Sequence, residues 1–255
     1  MSSPKNNKSI MTHIVIGYPT MEDSIELITA MTDAGVDYIE LQIPFTDPIA
    51  DGRTILNANQ VALKNNMSVS DCFRFAQEMT SSFEAIDFLF MTYYNIVFNS
   101  DVEKFIKRSK RAGLYGLIVP DIPPEEDKDN FYPMCNTYNL HPVPVFSPTT
   151  VEERLWRIRE IATGFVYCTS RIGITGAGKK PHDNLRDYIL NAKKIIDLPI
   201  AIGFGIDSVK SANAIAEFAD IIVIGSKLIN IVDESGSCFG KNVYKFLYKI
   251  KKSLS

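Results

Sequence analysis

A chain of 255 residues, 45% hydrophobic and 22% charged, is long enough to bury one large core and falls in the size range of an α/β barrel. Its net charge of −3 offers no general field for nucleic acid or an anionic membrane surface, so an anionic substrate has to be caught locally. Cys72, Cys135, Cys168 and Cys238 show no metal-like spacing and His13, His141 and His182 lie far apart, which argues against a structural metal site.

Residues 1–9 are rich in Lys and Asn and are expected to fray. The first strand candidate is 12-THIVI-16, followed by a helical pattern over 20–35 with Thr20 as N-cap, acids in its first turn, and Ile25, Leu27, Ile28 and Met31 at helical spacing before Gly35. Strands are then expected at 37–43, 86–91, 115–119, 142–146, 164–169, 199–203 and 220–225. Helical patterns lie between the later ones, at 101–113, 124–139, 150–162, 183–197 and 207–219, and the basic tail 248-YKIKKSLS-255 reads as the solvated end of a last helix. No apolar core of roughly 7–15 residues marks a signal peptide, and no run reaches the roughly 18 apolar residues of a membrane span. The expected setting is a reducing cytoplasm.

Near-continuous apolar strands imply burial on both faces, and long helical connections imply parallel pairing. Eight strand units in a chain of this length predict an α/β fold of the (β/α)8 TIM-barrel type, in one domain spanning residues 1–255. A dinucleotide-binding sheet is disfavoured, because 14-IVIGYP-19 lacks the glycine-rich fingerprint after the first strand.

Barrel active sites lie at the C-terminal ends of the strands. Glu40 sits inside the apolar strand 38-YIELQI-43, where a carboxylate is costly unless partnered and where burial in general favours the protonated form. Asp51, on the loop 44-PFTDPIADGRT-54, reads on its own as turn chemistry, as does Asp47. Glycines cluster in 170-SRIGITGAGKK-180, 203-GFGIDS-208 and 225-GS-226, after the last three strands, where main-chain N–H groups and helix N-termini favour a phosphorylated substrate.

Taken in order, 40-ELQIPFTDPIADG-52, 93-YYNIVFNSD-101, 118-IVPDIPPEE-126, 167-YCTSRIGITGAG-178, 203-GFGI-206 and 225-GS-226 resemble the α-subunit family of tryptophan synthase. The resemblance implies a (β/α)8 lyase that cleaves indole-3-glycerol phosphate to indole and glyceraldehyde 3-phosphate. It implies no cofactor or metal in this chain, and an αββα complex with a β subunit that carries pyridoxal phosphate and receives the indole. Glu40 and Asp51 match the family's catalytic carboxylates and Tyr167 an active-site tyrosine. Gly176, Gly205, Gly225 and Ser226 match its phosphate site, and Thr175 a threonine of the mobile loop.

Departures from the family pattern define a second reading. Gln42 stands where the family usually has Gly, on the same strand face as Glu40, and adds volume and a polar group needing partners. Arg53 replaces a usual Pro and brings a cation within pairing reach of Asp51. His13 and Val15 alter the pocket wall, and the leading segment is shorter than the family's usual first helix. If Gln42 obstructs the site, the chain is a catalytically impaired α subunit that mainly binds and activates β. Another phosphate-binding barrel is a third reading, against which the PFTDPIADG stretch speaks.

Overall fold

The computed structural model describes residues 8–169, 181–203 and 205–254. Its strands are β1 (Ser9–Val15), β2 (Tyr38–Gln42), β3 (Asp87–Met91), β4 (Gly116–Ile118), β5 (His141–Val143), β6 (Val145–Phe146), β7 (Val166–Thr169), β8 (Ile200–Gly203) and β9 (Ile221–Ile224). All neighbours pair parallel, in the order β5-β4-β3-β2-β1-β9-β8-β7-β6. The two ends of that order, β5 and β6, are separated in the chain by Pro144 alone, so the sheet closes through two halves of one strand. The eight expected strand positions are all occupied, and the architecture is a (β/α)8 barrel.

The split in the fifth strand has a chemical cause. His141 donates its N–H to Tyr115, on the β4 side, whereas Tyr167 of β7 donates to the carbonyl of Pro144. Backbone groups alternate in direction along a strand, so residues 142 and 144 are those whose N–H would face β7. Both are proline and have no hydrogen to give.

Between the strands run α1 (Met21–Asp33), α2 (Arg53–Lys64), α3 (Val69–Ser82), α4 (Tyr94–Asn99), α5 (Val102–Arg111), α6 (Phe131–Thr137), α7 (Glu152–Ile161), α8 (Pro181–Ala192) and α9 (Val209–Ala216), with α10 (Ser226–Ser235) and α11 (Phe239–Leu254) after β9. Thr20 caps α1 as the sequence suggests, accepting from the N–H of Asp23. Helices α2, α3, α4 and α10 have no counterpart among the expected patterns. In α2 only Ala58, Asn59 and Ala62 are buried, two alanines and an amide in place of the large apolar side chains that mark a core-facing helix. The first strand also begins at Ser9, three residues before its expected start, and Lys8 donates to the carbonyl of Ala219.

Strand alternation produces two cores. Outward side chains such as Ile10, Ile39, Phe90 and Ile202 pack beneath the helices, whereas Met11, Leu89, Met91, Ile118, Ala201 and Val223 fill the barrel. Phe90 lies edge-to-face with Phe73 of α3, and Phe73 in turn with Phe105 of α5, at centroid distances of 5.1 and 5.2 Å. Phe90→Ala is therefore expected to cost about 3–5 kcal/mol, read as a lower urea midpoint with an unchanged slope.

Candidate active site

A cavity of about 480 Å³ opens at the C-terminal mouth of the barrel, with Glu40, Asp51 and His13 on one side and Gly205, Gly225 and Ser226 on its wall. Its volume suits a small organic ligand. Tyr167, Gly203 and Lys227 also line it.

The loop between β2 and α2 is fastened at several points, which is how Asp51 reaches the cavity. Phe45 stacks on Tyr93 at 5.2 Å and donates its N–H to the side chain of Asn59 at 3.0 Å. Asn59, on α2 and wholly buried, also donates to the carbonyl of Ile55. Ala50 donates its N–H to the Tyr93 hydroxyl at 3.2 Å, and the N–H of Asp51 reaches the carbonyl of Pro48. Gly52 then forms the N-cap of α2. The turn residues noticed in the sequence thus serve to aim a carboxylate, and the pins that hold them, Asn59 and Tyr93, were not foreseen.

Gln42 does not lie where obstruction requires. Its side chain has no exposed surface and is absent from the cavity wall; Nε2 instead donates to Oδ2 of Asp51 at 2.6 Å. Strand alternation put it on the correct face, but the loop folds back over it and supplies an acceptor. Arg53 is exposed at the start of α2 and forms no ion pair with a described residue, so the expected pairing with Asp51 is not made.

Glu40 is 4% exposed and its partner is His13, 5% exposed and paired with it in the β1–β2 register. Nδ1 of His13 stands 3.3 Å from Oε2 of Glu40. Burial disfavours a charged ring, yet the Glu40 carboxylate, with further contributions from Asp51 and Gln42, outweighs it and raises the His13 pKa above the ordinary imidazole value. Asp51 is also raised, chiefly by burial, against the opposing pull of the Gln42 amide, His13 and Tyr93. Burial, then Glu40 and Asp51, lift Tyr167 well above the usual phenol range, which keeps its hydroxyl a neutral donor. Gly203 leaves it room: a Cβ there would stand 2.5 Å from the Tyr167 oxygen.

At the end of β9, next to β1, Gly225 stands against His13, where a Cβ would come within 3.4 Å of the histidine Cβ; as the N-cap of the ten-residue α10 it offers the first N–H groups no side-chain acceptor of its own. Ser226 and Lys227 occupy its first turn, and both line the cavity. Gly205 precedes α9 with φ of +45°, a backbone geometry that favours glycine. Asp207 lies nearby, its carboxylate accepting from Ser211 Oγ at 3.1 Å. Thr175 and Gly176 lie outside the described residues. Among the described residues no cluster of His, Cys, Asp and Glu is arranged to hold a metal ion, and no helix is long and apolar enough to cross a membrane.

The family model for the tryptophan synthase alpha chain matches residues 1–253. The chain belongs to that family. The alpha chain of Desulfotalea psychrophila is 46% identical over 234 residues, 91% of each protein, and that of Petrotoga mobilis is 38% identical over 250 residues, covering 98% of this chain and 96% of its own. The Legionella pneumophila alpha subunit structure superposes with a TM-score of 0.88 at 28% identity, covering 97% of this chain and 92% of that one. Mycobacterium tuberculosis tryptophan synthase, in an aminoacrylate-bound form, gives 0.87 at 26% identity over 98% and 94%. With these relatives and with Gln42 turned onto Asp51, the reading of this alpha chain as a subunit blocked by its own glutamine is not favoured.

A raised imidazole pKa fixes the sign of a pH effect. The stabilisation from the Glu40–His13 pair is complete below the unfolded imidazole value of about 6.5 and is lost as pH rises through the higher folded one. The melting-temperature advantage of the native alpha chain over His13→Phe should therefore shrink as pH rises above about 6.5. A constant difference would show that the fold leaves the imidazole pKa unshifted, and an advantage that grew with pH would show that the ring is neutral in the fold.

Proposed function

We propose that this alpha chain cleaves indole-3-glycerol phosphate to indole and glyceraldehyde 3-phosphate by a retro-aldol reaction. The observation that carries the reading is the single cavity lined both by the carboxylates Glu40 and Asp51 and by the Gly225–Ser226 helix start. The phosphate would lie against the first N–H groups of α10, beside Gly205 and Lys227, where partial positive charge is already present. Thr175 and Gly176 are assigned to the same substrate by family resemblance.

The chemistry asks for one proton delivered to the indole carbon that bears the side chain and one removed from the adjacent hydroxyl. The carbon–carbon bond then breaks, its electrons return to the indole ring, and the carbinol carbon becomes an aldehyde. Glu40 is suited to both proton transfers, since a group that gives one proton and takes another ends the cycle unchanged. Asp51, held by the Gln42 amide, is suited to accept the indole N–H and stabilise the positive ring formed midway. Tyr167 remains a neutral donor throughout. The cavity walls restrict water around these groups, which strengthens each interaction.

The indole would pass to a β subunit in an αββα assembly located in the cytoplasm, with pyridoxal phosphate belonging to that partner and no cofactor assigned to this chain. Support for a partner at the mouth comes from Ile49, 78% exposed on the loop after β2, and Phe98, 57% exposed on α4 after β3.

The test is indole release from indole-3-glycerol phosphate by the chain assembled with its β subunit. Glu40→Gln is expected to lower kcat by about 10²–10⁴, and Asp51→Asn by about 10²–10³. Cleavage by the native protein no faster than by Glu40→Gln would sink the reading. Ser226→Asp should raise KM roughly tenfold while largely sparing kcat, because it sets a second negative charge at the helix N-terminus; an unchanged KM would place the phosphate elsewhere.

A further inference from the structure

The cleavage chemistry uses Glu40 and Asp51 and leaves His13 and Gln42 unexplained. A histidine satisfied by a buried carboxylate is often only a structural pair. Two observations set this one apart. The ring lines the cavity, and its Nε2 is buried without a hydrogen-bond partner among the described residues. Oε1 of Gln42 is buried in the same condition, while Nε2 of Gln42 is committed to Asp51. In the β1–β2 register His13 faces Glu40, and Gln42 lies two residues further along β2. Ring and amide are therefore neighbours, each fastened to a different carboxylate.

We propose that His13 and Gln42 are positioning residues that join the two carboxylates into one unit, His13 orienting Glu40 through Nδ1 and Gln42 orienting Asp51 through Nε2. His13 keeps its Nδ1 proton, and no proton passes through it. The gain is geometric. A carboxylate held by an N–H donor presents its other oxygen along a fixed direction, and the near-attack geometry of a bound substrate depends on such directions. Nε2 of His13 and Oε1 of Gln42 are both buried and unpartnered among the described residues, so a rotation of the amide or the ring that brings them together when substrate enters would complete a bond and couple the settings of Glu40 and Asp51. A protonated ring, which donates from both nitrogens, suits this arrangement, and the raised His13 pKa accords with it. The charged groups acting on the ring are Glu40 on β2 and Asp51 on the loop. Gly225 at the end of β9 stands against the ring, and Tyr167 of β7, held neutral, and Lys227 on α10 share the cavity wall with it.

This inference rests on the cleavage reading above, and its test separates the two. The full chain is assembled with its β subunit, and kcat and KM for indole release from indole-3-glycerol phosphate are measured across pH for the native protein, His13→Phe, His13→Asn, Gln42→Gly and the double variant His13→Phe with Gln42→Gly. Each of His13→Phe and Gln42→Gly should lower kcat between about tenfold and about a hundredfold with KM nearly constant. The double variant should lose little more than either single one, because both sever the same bridge. His13→Asn keeps an N–H donor where Nδ1 stands, so it should recover most of kcat while removing the imidazole from the pH profile. Unchanged kcat in His13→Phe, a rate increase in Gln42→Gly, or losses that multiply in the double variant would overturn the proposal. A readout independent of activity is the NMR titration of the His13 ring, whose midpoint should fall in Glu40→Gln. Failure of the native protein to cleave overturns the functional reading, and the ring titration then decides this proposal by itself, with an unmoved midpoint refuting it.

Discussion

Closing a parallel sheet into a ring gives every strand residue one of two destinations, the barrel interior or the space beneath the helices, and period-two alternation decides between them. The rest of the molecule follows from that constraint. Ile39 and Leu41 go outward into the larger core, while Tyr38, Glu40 and Gln42 go inward. Along β2 the inward series thus runs from an aromatic ring through a carboxylate to an amide as it approaches the mouth. The lower part of the barrel is packed with apolar side chains, and the polar ones are concentrated where the strands end.

That concentration requires compensation. A carboxylate with 4% exposure persists only with a partner, and the neighbouring strand supplies His13 at the paired position. Asp51 comes from a loop rather than a strand, and it is aimed by bonds that run outside the cavity, through Asn59, Tyr93 and Gln42. The pockets of charge and donor groups are therefore set by two distinct scaffolds. One is the ladder between β1 and β2, and the other is the pinned loop ahead of α2. Their meeting point is the contact between Gln42 and Asp51.

Much of this was legible in the sequence. The eight β-branched runs named the strand positions because double-sided burial demands nearly continuous apolar residues, and the glycines of 203-GFGIDS-208 and 225-GS-226 marked segments that line the cavity. Less visible were features that depend on what lies across space. Helix α2 fully buries only two alanines and an amide, and α4 is six residues long, so neither shows a run of large apolar core residues. Gln42 was assigned to the correct face of its strand, but only the folded loop reveals that its amide meets Asp51 instead of the cavity. His13 could be seen as a difference in the pocket wall; its pairing with Glu40 needs the β1–β2 register, which a single sequence does not state.

The proline pair in the fifth strand bears on motion. Among the described strands β1 to β9 only the fifth, split into β5 and β6, is interrupted, and at residues 142 and 144 the N–H groups that would face β7 are missing. A barrel that breathes does so first where its ladder is thinnest. That seam runs beside Tyr167, which holds the carbonyl of Pro144 through its backbone and lines the cavity with its side chain. The place at which the ring is easiest to part is thus also a wall of the site, so a local opening there would widen the chamber without disturbing the opposite ladder that carries Glu40.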